Sequence, residues 1–151
     1  MVDLSGECLC GGIEYAYRGP LGAIVHCHCS RCRRWHGAAY RTRAVALRQG
    51  FEWTRGEELL SLYDSTPRVT KTFCSRCGSS LITLYRQRHA LIGLPLAAVR
   101  GELDRRPEFH IFAASKAPWT DICDGLPAYD ELPPDPELLH ALPGSDSPVR
   151  D

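Results

Sequence analysis

The sequence predicts a mainly β domain of short strands. Three observations carry this. Apolar residues alternate with polar ones over runs of four to eight residues, turn-forming residues stand between the runs, and no stretch shows sustained helical periodicity. The first run is the clearest: Ile13, Tyr15 and Tyr17 alternate with Glu14 and Ala16, and Gly19-Pro20 ends it. Residues 23–25 then lead into a cysteine-rich segment. Further strands are expected over 40–47, 51–54, 59–63, 69–73, 80–85, 90–94 and 109–113. Gly50, Gly56, Pro67, Gly78-Ser79, Pro95 and Gly101 punctuate them.

At 151 residues the chain suits one domain, because a division would leave two starved cores. We place that domain at residues 1–132. The Pro-rich segment 133–151 offers little to bury and is expected to dock loosely or move. Composition is globular, with 44% apolar and 24% charged residues. Lys plus Arg equals Asp plus Glu at 18 each, so no overall field draws the chain to nucleic acid or to an anionic membrane. Residues 1–7 carry no basic segment followed by an apolar run, and no stretch approaches the roughly 20 apolar residues of a membrane span. The expected location is cytoplasmic. Oligomeric state leaves no signal in the sequence.

That location changes the reading of the eight cysteines, since reducing compartments keep thiols free and make metal or redox chemistry the default. Seven of them form three groups: Cys8 and Cys10; Cys27, Cys29 and Cys32; Cys74 and Cys77. Zinc takes four ligands in a tetrahedron, and short C-x-C or C-x-x-C loops place two thiolates on one ion. Cys74-Ser75-Arg76-Cys77 and Cys8-Leu9-Cys10 are each followed by glycine, suited to a left-handed residue in a tight turn. Together they offer four thiolates, a closed site. Cys27, Cys29 and Cys32 offer three and leave a position open for chemistry. A ribbon of Cys29, Cys32, Cys74 and Cys77 is the competing partition, and it strands three clustered thiols.

The neighbours read as follows. His26, His28 and His36 are expected to pack or to orient ligands, with ligation or proton transfer as the alternative. Arg31, Arg33 and Arg34, in a crowd that also includes Arg41 and Arg43, either grip an anionic substrate or offset thiolate charge. Cys123 is expected to fill core, and so is Trp119.

Four segments resemble the glutathione-dependent formaldehyde-activating family, whose domain also occurs in centromere-protein-V-like proteins. They are GECLCGGIEY (6–15), CHCSRCRRWHGA (27–38), FCSRCGSSL (73–81) and HIFAASKAPWTDICDGLPAYDE (110–131). Over 43–68 and 86–108 the likeness is weak. The resemblance implies an Mss4-like fold of coiled β-sheets with two zinc ions, a structural one held by Cys8, Cys10, Cys74 and Cys77 and a catalytic one held by Cys27, Cys29 and Cys32. It implies a carbon–sulfur lyase-type enzyme that adds glutathione or a similar thiol to formaldehyde or another small aldehyde, or reverses that addition. Zinc deprotonates a bound thiol, so the open position suits thiol activation. The alternative is a non-catalytic zinc module that binds a protein partner.

Overall fold

The computed structural model describes residues 1–142. Eleven strands form two sheets, and the described residues include one α-helix. The strands are β1 (Val2–Glu7), β2 (Glu14–Gly19), β3 (Leu21–Cys27), β4 (Arg41–Leu47), β5 (Phe51–Arg55), β6 (Leu60–Thr66), β7 (Val69–Cys74), β8 (Ser80–Tyr85), β9 (Leu91–Pro95), β10 (Val99–Arg100) and β11 (Phe109–Ile111). The helix α1 (Ser30–His36) lies between β3 and β4. The smaller sheet has the order β10-β1-β2-β5 and the larger β11-β3-β4-β9-β8-β7-β6. Pairing is antiparallel throughout, except that β11 runs parallel to β3.

Alternation in β2 does what its pattern requires: Tyr15 and Tyr17 are buried between the less buried Glu14 and Ala16. They join Leu4, Ile24, Ala44, Ala46, Leu81, Ile92 and Leu94 in a core shared by the two sheets. Residues one position away, Val45 and Leu91, project from the opposite face of the larger sheet. There they pack with Leu142, while Val25, Cys27, Phe109 and Ile111 pack with Leu139. The segment reaching these faces includes a short 3-10 turn, Pro136–Leu139, with Asp135 accepting the Glu137 N–H. The rest of the Pro-rich tail, 143–151, lies outside the described residues.

Three elements were not foreseen. The strand β1 pairs with β2 over six residues, although Val2–Glu7 has a weak apolar pattern, and the two-residue β10 forms only because β1 offers it an edge. The helix α1 is too short to show periodicity, and its boundaries are local: the Cys29 sulfur accepts the Cys32 N–H at its start, and Gly37 adopts a left-handed conformation at its end. No described helix is long and apolar enough to cross a membrane.

Candidate metal centres

Two loops from different sheets meet at the first cluster. The β1–β2 loop carries Cys8 and Cys10, and the β7–β8 loop carries Cys74 and Cys77. Each loop closes on its glycine: the Gly11 N–H donates to the Cys8 carbonyl at 2.9 Å and the Gly78 N–H to the Cys74 carbonyl at 2.8 Å. Both glycines have the left-handed backbone expected of them, with φ of 66° and 75°. The Leu9 N–H donates to Ser79 Oγ at 2.8 Å, stitching one loop to the other. The four sulfurs gather within 4.8 Å of one another, with Cys8 to Cys10 at 3.5 Å and Cys10 to Cys74 at 3.9 Å. A tetrahedral zinc with bonds of ~2.3 Å sets its sulfurs ~3.8 Å apart, so the donor set fits that ion without rearrangement. The Ile13 N–H donates to the Cys8 sulfur at 3.2 Å.

The second cluster grows from one continuous segment. Cys27 ends β3, Cys29 caps α1 and Cys32 lies in its first turn, which brings three sulfurs within 4.8 Å. Cys27 and Cys32 are buried and Cys29 half-buried. Contacts among the three sulfurs push the Cys27 thiol far above its ordinary range and, with the N–H groups of Cys32 and Arg31, hold the Cys29 thiol far below it. No fourth His, Cys, Asp or Glu joins this group among the described residues.

Sequence reasoning raised charge compensation by the arginines but did not single out the two cations that are buried near the trio. Arg41 and Lys71 are only 5% exposed each, and no carboxylate pairs with either among the described residues. Burial lowers the pKa of both; Tyr85 and then Cys32 and Cys27 oppose that loss for Arg41, and the three cysteines of the trio oppose it for Lys71. Arg41 donates to the Gly93 carbonyl at 3.2 Å, but its Nε is buried without a partner. Two uncompensated cations in a protein interior are costly. Ionised sulfurs beside them remove most of that cost, and a thiolate-bound cation with surplus negative charge supplies ionised sulfurs. The donor set therefore fits zinc here also. Arg41 stood in the arginine crowd, whereas Lys71 is recognisable only by its position between Thr70 and Thr72 in a strand buried at all three.

The three arginines first singled out have different surroundings. Arg33 donates to the His28 carbonyl at 3.2 Å, bracing the cysteine loop, and Arg34 bonds back to Ser30. Arg31 and Arg34 line a cleft of about 470 Å³ with Trp35, Tyr63, Ser65 and Lys71. Lys71 Nζ sits 5.2 Å from the Trp35 ring centre, and Trp35 stacks on Tyr63. The sulfurs are not in the wall of this cleft. Arg31, in its wall, stands between Cys29 and Cys32 in sequence.

The histidines divide. His36 is held neutral, its pKa pushed down to about 3 by burial and then by Arg41 and Lys71. His28 is fully buried and contacts His110, with Nε2 to Nδ1 at 2.8 Å; His110 in turn bonds Asp124 at 3.0 Å. Neither His110 nor Asp124 was singled out, although both fall in the 110–131 segment. Two expectations are corrected. Cys123 is exposed rather than core, and Trp119 is 72% exposed, because the loop that carries them runs over the surface.

Comparison with known proteins adds a family. Residues 3–115 match the model of a family described as "Glutathione-dependent formaldehyde-activating enzyme". A Halomonas elongata protein is 27% identical over 126 residues, covering 79% of this chain and 80% of the relative. A Fusarium vanettenii protein is 24% identical over 155 residues, covering 90% and 80%. Both carry the name "Putative glutathione-dependent formaldehyde-activating enzyme". A crystal structure of a Rhodobacter sphaeroides protein superposes with a TM-score of 0.55 at 28% identity, over 66% of this chain and 91% of that one.

Proposed function

Because the chain belongs to the glutathione-dependent formaldehyde-activating enzyme family, we propose that it joins a thiol such as glutathione to formaldehyde or another small aldehyde, or reverses that step. This is carbon–sulfur lyase chemistry, with one zinc held by Cys8, Cys10, Cys74 and Cys77 and another by Cys27, Cys29 and Cys32. The observation that supports it best is the three-sulfur cluster with no fourth protein ligand among the described residues, beside two buried, carboxylate-free cations. Zinc at the trio would supply an open coordination position that favours a thiol in its thiolate form.

The chain's own residues account for the rest. Arg41 and Lys71 offset the negative charge that accumulates when a further thiolate approaches three ionised cysteines. Arg33 fixes the His28 carbonyl and thereby the loop between Cys27 and Cys29. Arg31 and Arg34, at the cleft rim, present positive charge to the carboxylates of a tripeptide thiol. In the forward step the sulfur attacks the carbonyl carbon, a carbon–sulfur bond forms, and the carbonyl π pair becomes an alkoxide. That alkoxide takes up the proton the thiol gave away, so no oxidant or reductant is needed.

The test combines turnover with spectroscopy. A panel of aldehydes is incubated with and without thiols and the adducts are read by mass. Cobalt is substituted at the trio and glutathione added. Adduct formation that depends on enzyme and thiol, together with a glutathione-induced change in the cobalt bands lost in Cys29→Ser, is the expected result. Turnover with no spectral response would exclude direct thiol ligation. No thiol-dependent turnover with any aldehyde would remove the enzymatic reading and leave a partner-binding zinc module.

A further inference from the structure

We propose that His26, His110 and Asp124 form a third metal site, binding a late first-row divalent cation such as zinc through two imidazoles and one carboxylate. The site follows from strand register. β11 lies parallel to β3 with His110 opposite His26, and β4 on the other side sets Thr42 opposite His26. Thr42, His26 and His110 therefore make a row across three strands on one face of the larger sheet. Cys27, next along β3, is directed to the other face, so this cluster is separate from the cysteine trio. The loop after β11 returns Asp124 to the end of the row, where its carboxylate meets His110 Nε2 at 3.0 Å and 3.1 Å.

Each imidazole is held in the way a ligand needs. His26 Nδ1 contacts Thr42 Oγ1 at 2.8 Å, and among the described residues no hydrogen bond engages its Nε2. His110 Nδ1 contacts His28 Nε2 at 2.8 Å, directing its own Nε2 outward at Asp124. Metal-bound histidines are oriented by such a bond from the second ring nitrogen. One donor atom from each of His26, His110 and Asp124 lies within 4.8 Å of the others. A pure hydrogen-bond chain from Asp124 to His28 has no use for His26, whose ring packs 4.8 Å from that of His110.

The carboxylate is ready as an anion: the Leu126 N–H and His110 keep the Asp124 carboxyl below its usual range. Without a cation, His110 Nε2–H donates to Asp124 and His110 Nδ1 accepts from His28 Nε2–H. With a cation on His110 Nε2, that proton moves to Nδ1 and the bond to His28 reverses. His28 Nε2 then accepts, and the His28 proton moves to its own Nδ1, which is buried without a partner in either state. Two imidazoles and a carboxylate suit zinc and its first-row neighbours over calcium or magnesium, and positions remain open for water on the exposed Asp124 side.

The experiment is ion counting on the full chain, dialysed against zinc and compared with Asp124→Asn and His26→Gln. The carboxamide introduced by Asp124→Asn retains an oxygen for the Leu126 N–H, and the position is at the surface, so that variant should melt as wild type does. Wild type should hold one ion more than either variant. Cobalt added to wild type given only enough zinc to fill the cysteine sites should give weak visible bands without sulfur charge-transfer absorption, and Asp124→Asn should lose them. Equal ion counts in wild type and Asp124→Asn, retention of the ion by His26→Gln, or sulfur charge transfer from the added cobalt would each overturn the site. The outcome is independent of thiol-dependent turnover.

Discussion

Two classes of cysteine follow from connectivity. Cys74 shares its cluster with a loop from the other sheet, whereas Cys29 shares its cluster only with its own segment. Structural zinc contributes on the order of 10 kcal/mol in small zinc domains, so Cys74→Ser should be poorly soluble or melt far below wild type. Cys29→Ser should stay folded and carry one fewer ion than wild type. Thermal melts and elemental analysis of both variants check this, and equal melting temperatures would reject the division. Lys71→Met keeps the packing on Trp35 and removes the charge. It should slow thiol-dependent turnover ~tenfold, the equivalent of about one pKa unit on a bound thiol, and lower the melting temperature, because the ionised sulfurs lose a buried counter-charge.

Elements differ in how openly the chain announces them. Strands β2, β4 to β9 and β11 were legible as short apolar or alternating runs closed by turn residues, whereas of β3 only residues 23–25 stood out. Helix α1 was hidden inside a cysteine motif and is specified by its caps alone. The 3-10 turn Pro136–Leu139 rests on burial of Leu139 and Leu142, and it leads directly into His140. Burial, then Arg88 and Arg43, hold the His140 pKa down to about 4. An undocked His140 would titrate near its ordinary ~6.5, so the undocked state gains a proton first as pH falls. Docking of this segment is thus fully supported above pH ~6.5 and weakens between there and about 4. Limited proteolysis near Leu139 should accelerate at pH 5 relative to pH 7 with an acid-tolerant protease calibrated on an unfolded substrate. His140→Leu should flatten the difference.

At the scale of the whole molecule, the four-sulfur cluster is a clasp between sheets and the trio an ornament of one strand and one helix. Chelation should therefore proceed in stages. The trio gives up its ion first with little change in circular dichroism, and loss from the clasp coincides with unfolding. Elemental analysis alongside the melt reads both steps, and simultaneous loss would show that the sites are not independent.

The sequence by itself determined the mainly β class and the glycine-closed loops. It also marked out the three local cysteine groups, because ligand spacing and turn chemistry are properties of a few consecutive residues. It left open whether Cys29 and Cys32 would join Cys74 and Cys77, and only the pairing of strands put those pairs in different clusters. Tertiary structure alone decided what surrounds them. Arg41 and Lys71 come from separate strands, and His26 meets His110 across 84 positions through a parallel register. Nothing local encodes such meetings, since they depend on which strands become neighbours once the shared core of the two sheets has formed.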